Sequence, residues 1–168
     1  MANLKAEIEQ QRPFSSPEEE AVLNLRRTSD FLERSFQHKL RPWGVTATQY
    51  NVLRILRGAG SEGLACAAIG KRMITAEPDI TRLLGRLKAL KLVRQHRDRQ
   101  DRRVVCTQIS EAGLELLRSM DPMIERAPTE LLGHMSTAQL AQLTRLLELA
   151  RTPAEGPNAS KVSCDGKS

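Results

Sequence analysis

The 168-residue sequence predicts a mainly α fold with a small β-hairpin wing: a winged helix-turn-helix with long N- and C-terminal helices. Three observations predict it. A Ser or Thr followed three residues later by Glu or Gln recurs at Ser16/Glu19, Thr46/Gln49 and Ser136/Gln139, and this is the pattern that closes the first turn of a helix. Apolar residues at helical spacing follow each pair. Finally, β-rich runs 92–96 and 104–109 are separated by the polar run 97–103, which is how a hairpin reads.

Pro17, favoured at a first helical position, opens a long helix in which Val22, Leu25, Leu32, Phe36 and Leu40 share a face until Pro42 and Gly44 end it. A second helix, from about Ala47 to Arg57, is expected to bury Val52, Leu53, Ile55 and Leu56 before Gly58 and Gly60. A short element from Ala65 to Met73 and a longer one from about Pro78 to Leu90 have the outline of a helix-turn-helix. After the hairpin, Ser110 is placed to cap a helix that Pro122 and Pro128 are expected to kink or interrupt. A last helix runs from Thr137 to Arg151 with Leu140, Leu143, Leu146 and Leu147 on one side. The expected division is a helical dimerisation region at 17–42 and 111–151, a winged helix-turn-helix at 45–110, and flexible tails at 1–15 and 152–168. Apolar-striped helices at both ends of so small a module predict burial against a second copy.

Charge locates the function. Between Arg82 and Arg103 stand nine basic and two acidic residues, so the formal net charge of +6 is carried by that segment alone. Such concentration marks a polyanion contact. The five aromatics all precede residue 51, which excludes a base-stacking sheet of the RNA-binding kind. Cys66, Cys106 and Cys164 are odd in number and widely spaced, so neither a disulfide framework nor a zinc site is indicated and a reducing, cytoplasmic setting is expected. No apolar run is long enough for a membrane span. His38, His96 and His134 are isolated, no nucleophile has a base beside it, and no phosphate-binding loop occurs, so neither an enzyme nor a cofactor is expected.

In the helix after Pro78, Ile80, Leu83, Leu84 and Leu87 form the buried stripe, leaving Asp79, Thr81, Arg82 and Arg86 on the open face. Thr81, Arg82 and Arg86 are the candidate contacts to base edges in a major groove, where arginine pairs with guanine through two hydrogen bonds. In the hairpin, Arg97, Arg99, Arg102 and Arg103 surround Asp98 and Asp101. Arginine sheds water more readily than lysine and suits the negative minor groove. Asp101 is expected to aim Arg103, and Asp98 to shape the turn. Cys66, at a helix start, is a candidate redox switch, with core packing as its other role.

From Arg41 to Leu117 the chain resembles the MarR family of bacterial winged helix-turn-helix regulators. "WGVTATQYNVLRIL" is similar to the opening of that family's second helix, "DITRLLGRLKALKLV" to its recognition helix, "DRQDRR" to its wing and "ISEAGLELL" to the start of its fifth helix. Arg99 stands where the family often has Pro, Lys91 where Gly often ends the recognition helix, and Gly85 where a helix former is usual. The resemblance implies a homodimeric regulator, most often a repressor, that binds a pseudo-palindromic site in double-stranded DNA. It also implies a small aromatic or phenolic effector bound between dimerisation and DNA-binding parts, and it gives Asp101 and Arg103 the minor-groove role. Two other functions fit the same residues: a thiol-based redox sensor, and a winged helix that binds protein instead of DNA.

Overall fold

The computed structural model describes residues 3–98 and 101–152, and divides into two compact units, Met1–Ala127 and Pro128–Ser168. The first unit opens with a one-turn helix, α1 (Leu4–Glu7), capped by the Asn3 side chain, with Leu4 only 5% exposed. Within the tail expected at 1–15, a buried leucine and an Asn cap accompany this first turn, and Glu7 reaches Arg27 at 3.5 Å.

Helix α2 (Pro17–Leu40) begins where its cap requires, the Ser16 hydroxyl accepting from the Glu19 N–H at 3.2 Å. The return bond differs from a reciprocal box. Glu19 accepts from the N–H and hydroxyl of Ser15, at 2.6 and 2.7 Å, and these bonds hold its carboxyl below the ordinary range. Only Leu40 of the α2 stripe is fully buried, whereas Val22, Leu25 and Phe31 stay 41–54% exposed. Gly44, at φ +66°, ends the turn that follows. Helix α3 (Ala47–Ala59) has both bonds of the Thr46/Gln49 box and buries Val52, Leu53, Ile55 and Leu56 as its periodicity predicts.

Strand β1 (Leu64–Ala65), helix α4 (Cys66–Arg72), helix α5 (Ile80–Ala89), and strands β2 (Val93–Arg97) and β3 (Val105–Ile109) complete the winged module. The sheet order is β1-β3-β2, both pairs antiparallel, with Val93 opposite Ile109 and Arg97 opposite Val105. Central β3, paired on both edges, buries the adjacent residues Cys106 and Thr107, whose side chains point to opposite faces of the sheet. Gly63 makes β1 possible. Its φ of +70° suits glycine, and a Cβ there would lie 2.5 Å from the Thr107 carbonyl oxygen.

Helix α5 starts at Ile80 rather than Pro78, because Asp79 caps it: the carboxylate accepts from the Arg82 N–H at 2.9 Å. It ends by folding back, with Leu92 N–H donating to Leu87 O at 3.0 Å and Lys91 N–H to Lys88 O at 2.9 Å. This pairing places Lys91 in the left-handed region at φ +60°, a conformation usually filled by glycine. Leu83, Leu84 and Leu87 join Leu53 and Leu56 of α3, Ile69 of α4, and Val93 and Ile109 of the sheet in one core.

Ser110 anchors helix α6 (Glu111–Leu132). Its hydroxyl donates to Lys91 O at 2.7 Å and accepts from Gly113 N–H at 3.0 Å, so one side chain ties the end of α5 to the start of α6. Leu117 and Met120 complete the core. The expected interruption at Pro122 and Pro128 does not occur, since α6 is continuous through both. Each proline removes one ladder bond. Burial of Leu117 and Met120 before Pro122, and of Ala127 after it, holds the helix across the gap.

The second unit begins at Pro128, within α6. Its helix α7 (Thr137–Ala150) carries the complete Ser136/Gln139 box and has no buried residue, with Leu146 and Leu149 exposed at 53% and 66%. The expected tail at 152–168 lies, apart from Thr152, outside the described residues, as does Cys164.

Candidate nucleic-acid interface

At 100° per residue, the exposed face of α5 has Arg82 and Arg86 along one edge and Thr81 and Lys88 along the other, with Gly85 and Ala89 between them. Core packing of Leu83, Leu84 and Leu87 fixes this orientation. Thr81, Arg82 and Arg86, the expected contacts, are all exposed; Asp79 is taken up by capping. Lys88 belongs to the same basic face, and its charge and helical spacing were the signals for it.

Gly85 has no local reason to be glycine. No atom lies within 4 Å of a Cβ built there, and its φ is not in the left-handed region. Gly85→Ala is expected to raise stability by about 1 kcal/mol in urea denaturation, the ordinary helix-interior difference. Equal or lower stability would show a constraint on the helix backbone that its surroundings do not explain.

The wing is a turn built by its own acids. Asp98 N–H donates to Val104 O and Val104 N–H to Asp101 O, both at 2.9 Å. The Asp98 carboxylate accepts from the Asp101 N–H, and the Asp101 carboxylate from the Arg103 N–H, each at 2.9 Å. Arg97 Nη1 donates to Arg102 O at 2.7 Å, bracing the same turn from the strand end. The contact between Asp101 and Arg103 therefore runs through the backbone and not the guanidinium. A short carboxylate reaches an amide two residues on with little adjustment. Arg102 and Arg103 are exposed beside it. Arg99 lies outside the described residues.

The thiols differ. Cys66, half-buried at the first position of α4, has its Sγ 4.0 Å from Thr81 Oγ1, so it sits between the two helices of the helix-turn-helix. Burial pushes the Cys106 thiol up, and the Asp98 and Glu62 carboxylates push it the same way, which makes it a poor nucleophile.

A cavity of about 210 Å³ lies between α2, α3 and the segment after α4, lined by Phe36, Ala47, Tyr50, Met73 and Ile74 with Glu33, Thr48, Asn51, Arg54 and Thr75. Tyr50 meets Phe36 edge-on at 5.6 Å, and burial raises its phenol despite the opposing pull of Arg54 and Arg57. Asn51 is 6% exposed. Its Oδ1 accepts from Ile74 N–H at 3.0 Å, while Nδ2 has no partner. A buried unmatched donor costs about 1–3 kcal/mol. The signal for it was a lone amide inside the apolar run Tyr50–Leu53. Around the cavity, Gln37 joins α2 to α3 through Val45 O and Ala47 N–H, and Arg57 holds Asp121 of α6 through two 2.9 Å bonds.

Residues 43–104 match the sequence model of the MarR family. A MarR transcription factor of solved structure from Planctomyces limnophilus is 38% identical, over 82% of this chain and 99% of that one, with a TM-score of 0.62. The HTH-type transcriptional regulator MhqR of Bacillus subtilis (strain 168) is 28% identical over 62% of this chain and 71% of its own length. BpsR of Bordetella bronchiseptica, whose DNA binding is regulated by 6-hydroxynicotinic acid, is 26% identical over 79% of this chain and 98% of its own, with a TM-score of 0.69. Among the described residues, no helix is long and apolar enough to cross a membrane.

Proposed function

The chain belongs to the MarR family of winged helix-turn-helix, DNA-binding transcriptional regulators, and from that membership we propose that it is a homodimeric repressor of a pseudo-palindromic operator, released by a small molecule. The observation that carries this reading is the pairing of two exposed basic features on adjacent elements: the Arg82/Arg86 face of α5, and the Arg102/Arg103 turn between β2 and β3. In it, α5 enters the major groove, where Thr81, Arg82 and Arg86 meet base edges. The wing sets Arg103 toward the minor groove, with Arg97, Arg99 and Arg102 toward phosphates. Regulation of BpsR by 6-hydroxynicotinic acid supports a small-molecule effector here as well.

Selection of bound duplexes from a random pool tests the proposal. Two inverted half-sites about one helical turn apart are expected. Recovery of no sequence preference, with a protein partner captured instead, would replace it by the protein-binding use of the winged helix.

Exposed apolar side chains support the dimer, since Val22, Leu25 and Phe31 on α2 and Leu146 and Leu149 on α7 are 41–66% exposed among the described residues. Leu149→Ala is expected to weaken self-association roughly tenfold in sedimentation equilibrium, the loss of a few buried methyl and methylene groups. Unchanged association would remove α7 from the interface.

A further inference from the structure

We propose that Gly85 is a specificity-determining residue, an opening on the groove-facing side of α5 that receives the methyl group of a thymine in each half-site; this rests on the reading above that α5 enters the major groove. Gly85 stands in the interior of α5, where glycine weakens a helix relative to alanine. Nothing inside the chain requires it. Its φ is outside the left-handed region, and no atom lies within 4 Å of a Cβ built on it. Among the described residues it is the one glycine so placed: Gly70 and Gly113 stand in helices but are crowded by Ile80 and Leu92, and Gly58, equally open, lies next to the last residue of α3.

The unfilled space faces outward. At 100° per residue, Gly85 points about 150° away from the mean direction of the buried Leu83, Leu84 and Leu87. Thr81 flanks it on one side and Arg82 on the other, so the gap lies between two of the candidate base contacts. A side chain here would be the first part of the helix to meet the floor of a groove. Its absence lets the backbone approach closely, as glycine does beside a ligand, and brings the short Thr81 side chain within reach of base edges.

The chemistry of the opening selects what fills it. In a helix interior the N–H and C=O of Gly85 belong to the hydrogen-bond ladder, so the position offers Cα–H surface and neither donor nor acceptor. The methylenes of Arg82 extend that apolar surface. In the major groove every base edge carries donors or acceptors, and the single apolar group among them is the thymine C5-methyl. An amine or carbonyl pressed against Gly85 would lose water without gaining a partner. A methyl group gains by leaving water.

Uracil tests the proposal, because it pairs as thymine does and lacks only the methyl. Anisotropy titrations use the operator recovered by selection, with its thymines replaced singly by uracil. One position in each half-site is expected to weaken wild-type binding about fourfold, the loss of one buried methyl. Gly85→Ala fills the opening. On the thymine operator it is expected to bind at least about fivefold more weakly than wild type, although its helix is the more stable. With uracil at the same position it is expected to bind more tightly than with thymine, reversing the wild-type preference. Undiminished operator binding by Gly85→Ala, an equal loss on thymine and uracil duplexes, or wild-type binding indifferent to every uracil overturns the proposal. Arg82→Ala on the same duplexes shows which reading has failed. If it relaxes base preference while the Gly85 expectations fail, α5 stays in the groove and the thymine contact alone falls. If it too leaves base preference unchanged, the major-groove reading falls and the thymine contact with it.

Discussion

Gly113→Ala is expected to destabilise the protein by about 3 kcal/mol, lowering the melting temperature by on the order of 10 °C. A Cβ at Gly113 would overlap the Leu92 carbonyl oxygen and lie 2.8 Å from Ile109 Cγ1. Neither neighbour can yield cheaply. Leu92 O accepts from Ser110 N–H at 3.0 Å, Leu92 N–H closes the end of α5, and Ile109 is a core residue paired with Val93. The methyl would force α6 away from the junction where α5, the sheet and α6 meet. Operator affinity is therefore expected to fall at temperatures well below unfolding, because α5 is held by the same junction. Calorimetric melting beside anisotropy at 20 °C checks both statements. A melting temperature within about 2 °C of wild type would show that α6 can shift without cost, contrary to its packing.

The same junction shows what the sequence made legible. Ser110 and Gly113 stand three apart before an apolar helical run, so a capped helix start was readable from residue type and spacing. Helices α2, α3 and α7 were readable for the same reason, since a cap is a local contract between neighbours in sequence. Strand β1 was not. Two residues have no period, and Leu64–Ala65 is a strand only because β3 lies beside it and Gly63 permits the approach. Nor was the Asn51 cavity, whose lining comes from three separate parts of the first unit. Asp79 is exposed as expected, but its capping bond to the Arg82 N–H was not legible, because capping and display make the same demand for a small polar residue before a helix.

The wing carries the other large effect, and its two aspartates separate rival accounts of why acids sit among arginines. Arg103→Ala is expected to weaken operator binding by about 2 kcal/mol, within the range for a specific arginine contact, with self-association unchanged. Asp101→Ala is expected to weaken it comparably, even though a negative charge is removed, because the Arg103 N–H loses its acceptor and the turn that presents Arg102 and Arg103 loosens. Asp101→Asn keeps an acceptor oxygen in place and removes the same charge. It is expected to bind duplex DNA more tightly than wild type by up to about threefold at low salt, the advantage shrinking as salt screens it. If the acids merely diluted the positive charge, both Asp101 variants would tighten binding together. Anisotropy titrations of the three variants at 50 and 200 mM salt separate the accounts. Tighter binding by Asp101→Ala would leave the hydrogen-bonded turn without a part in DNA recognition.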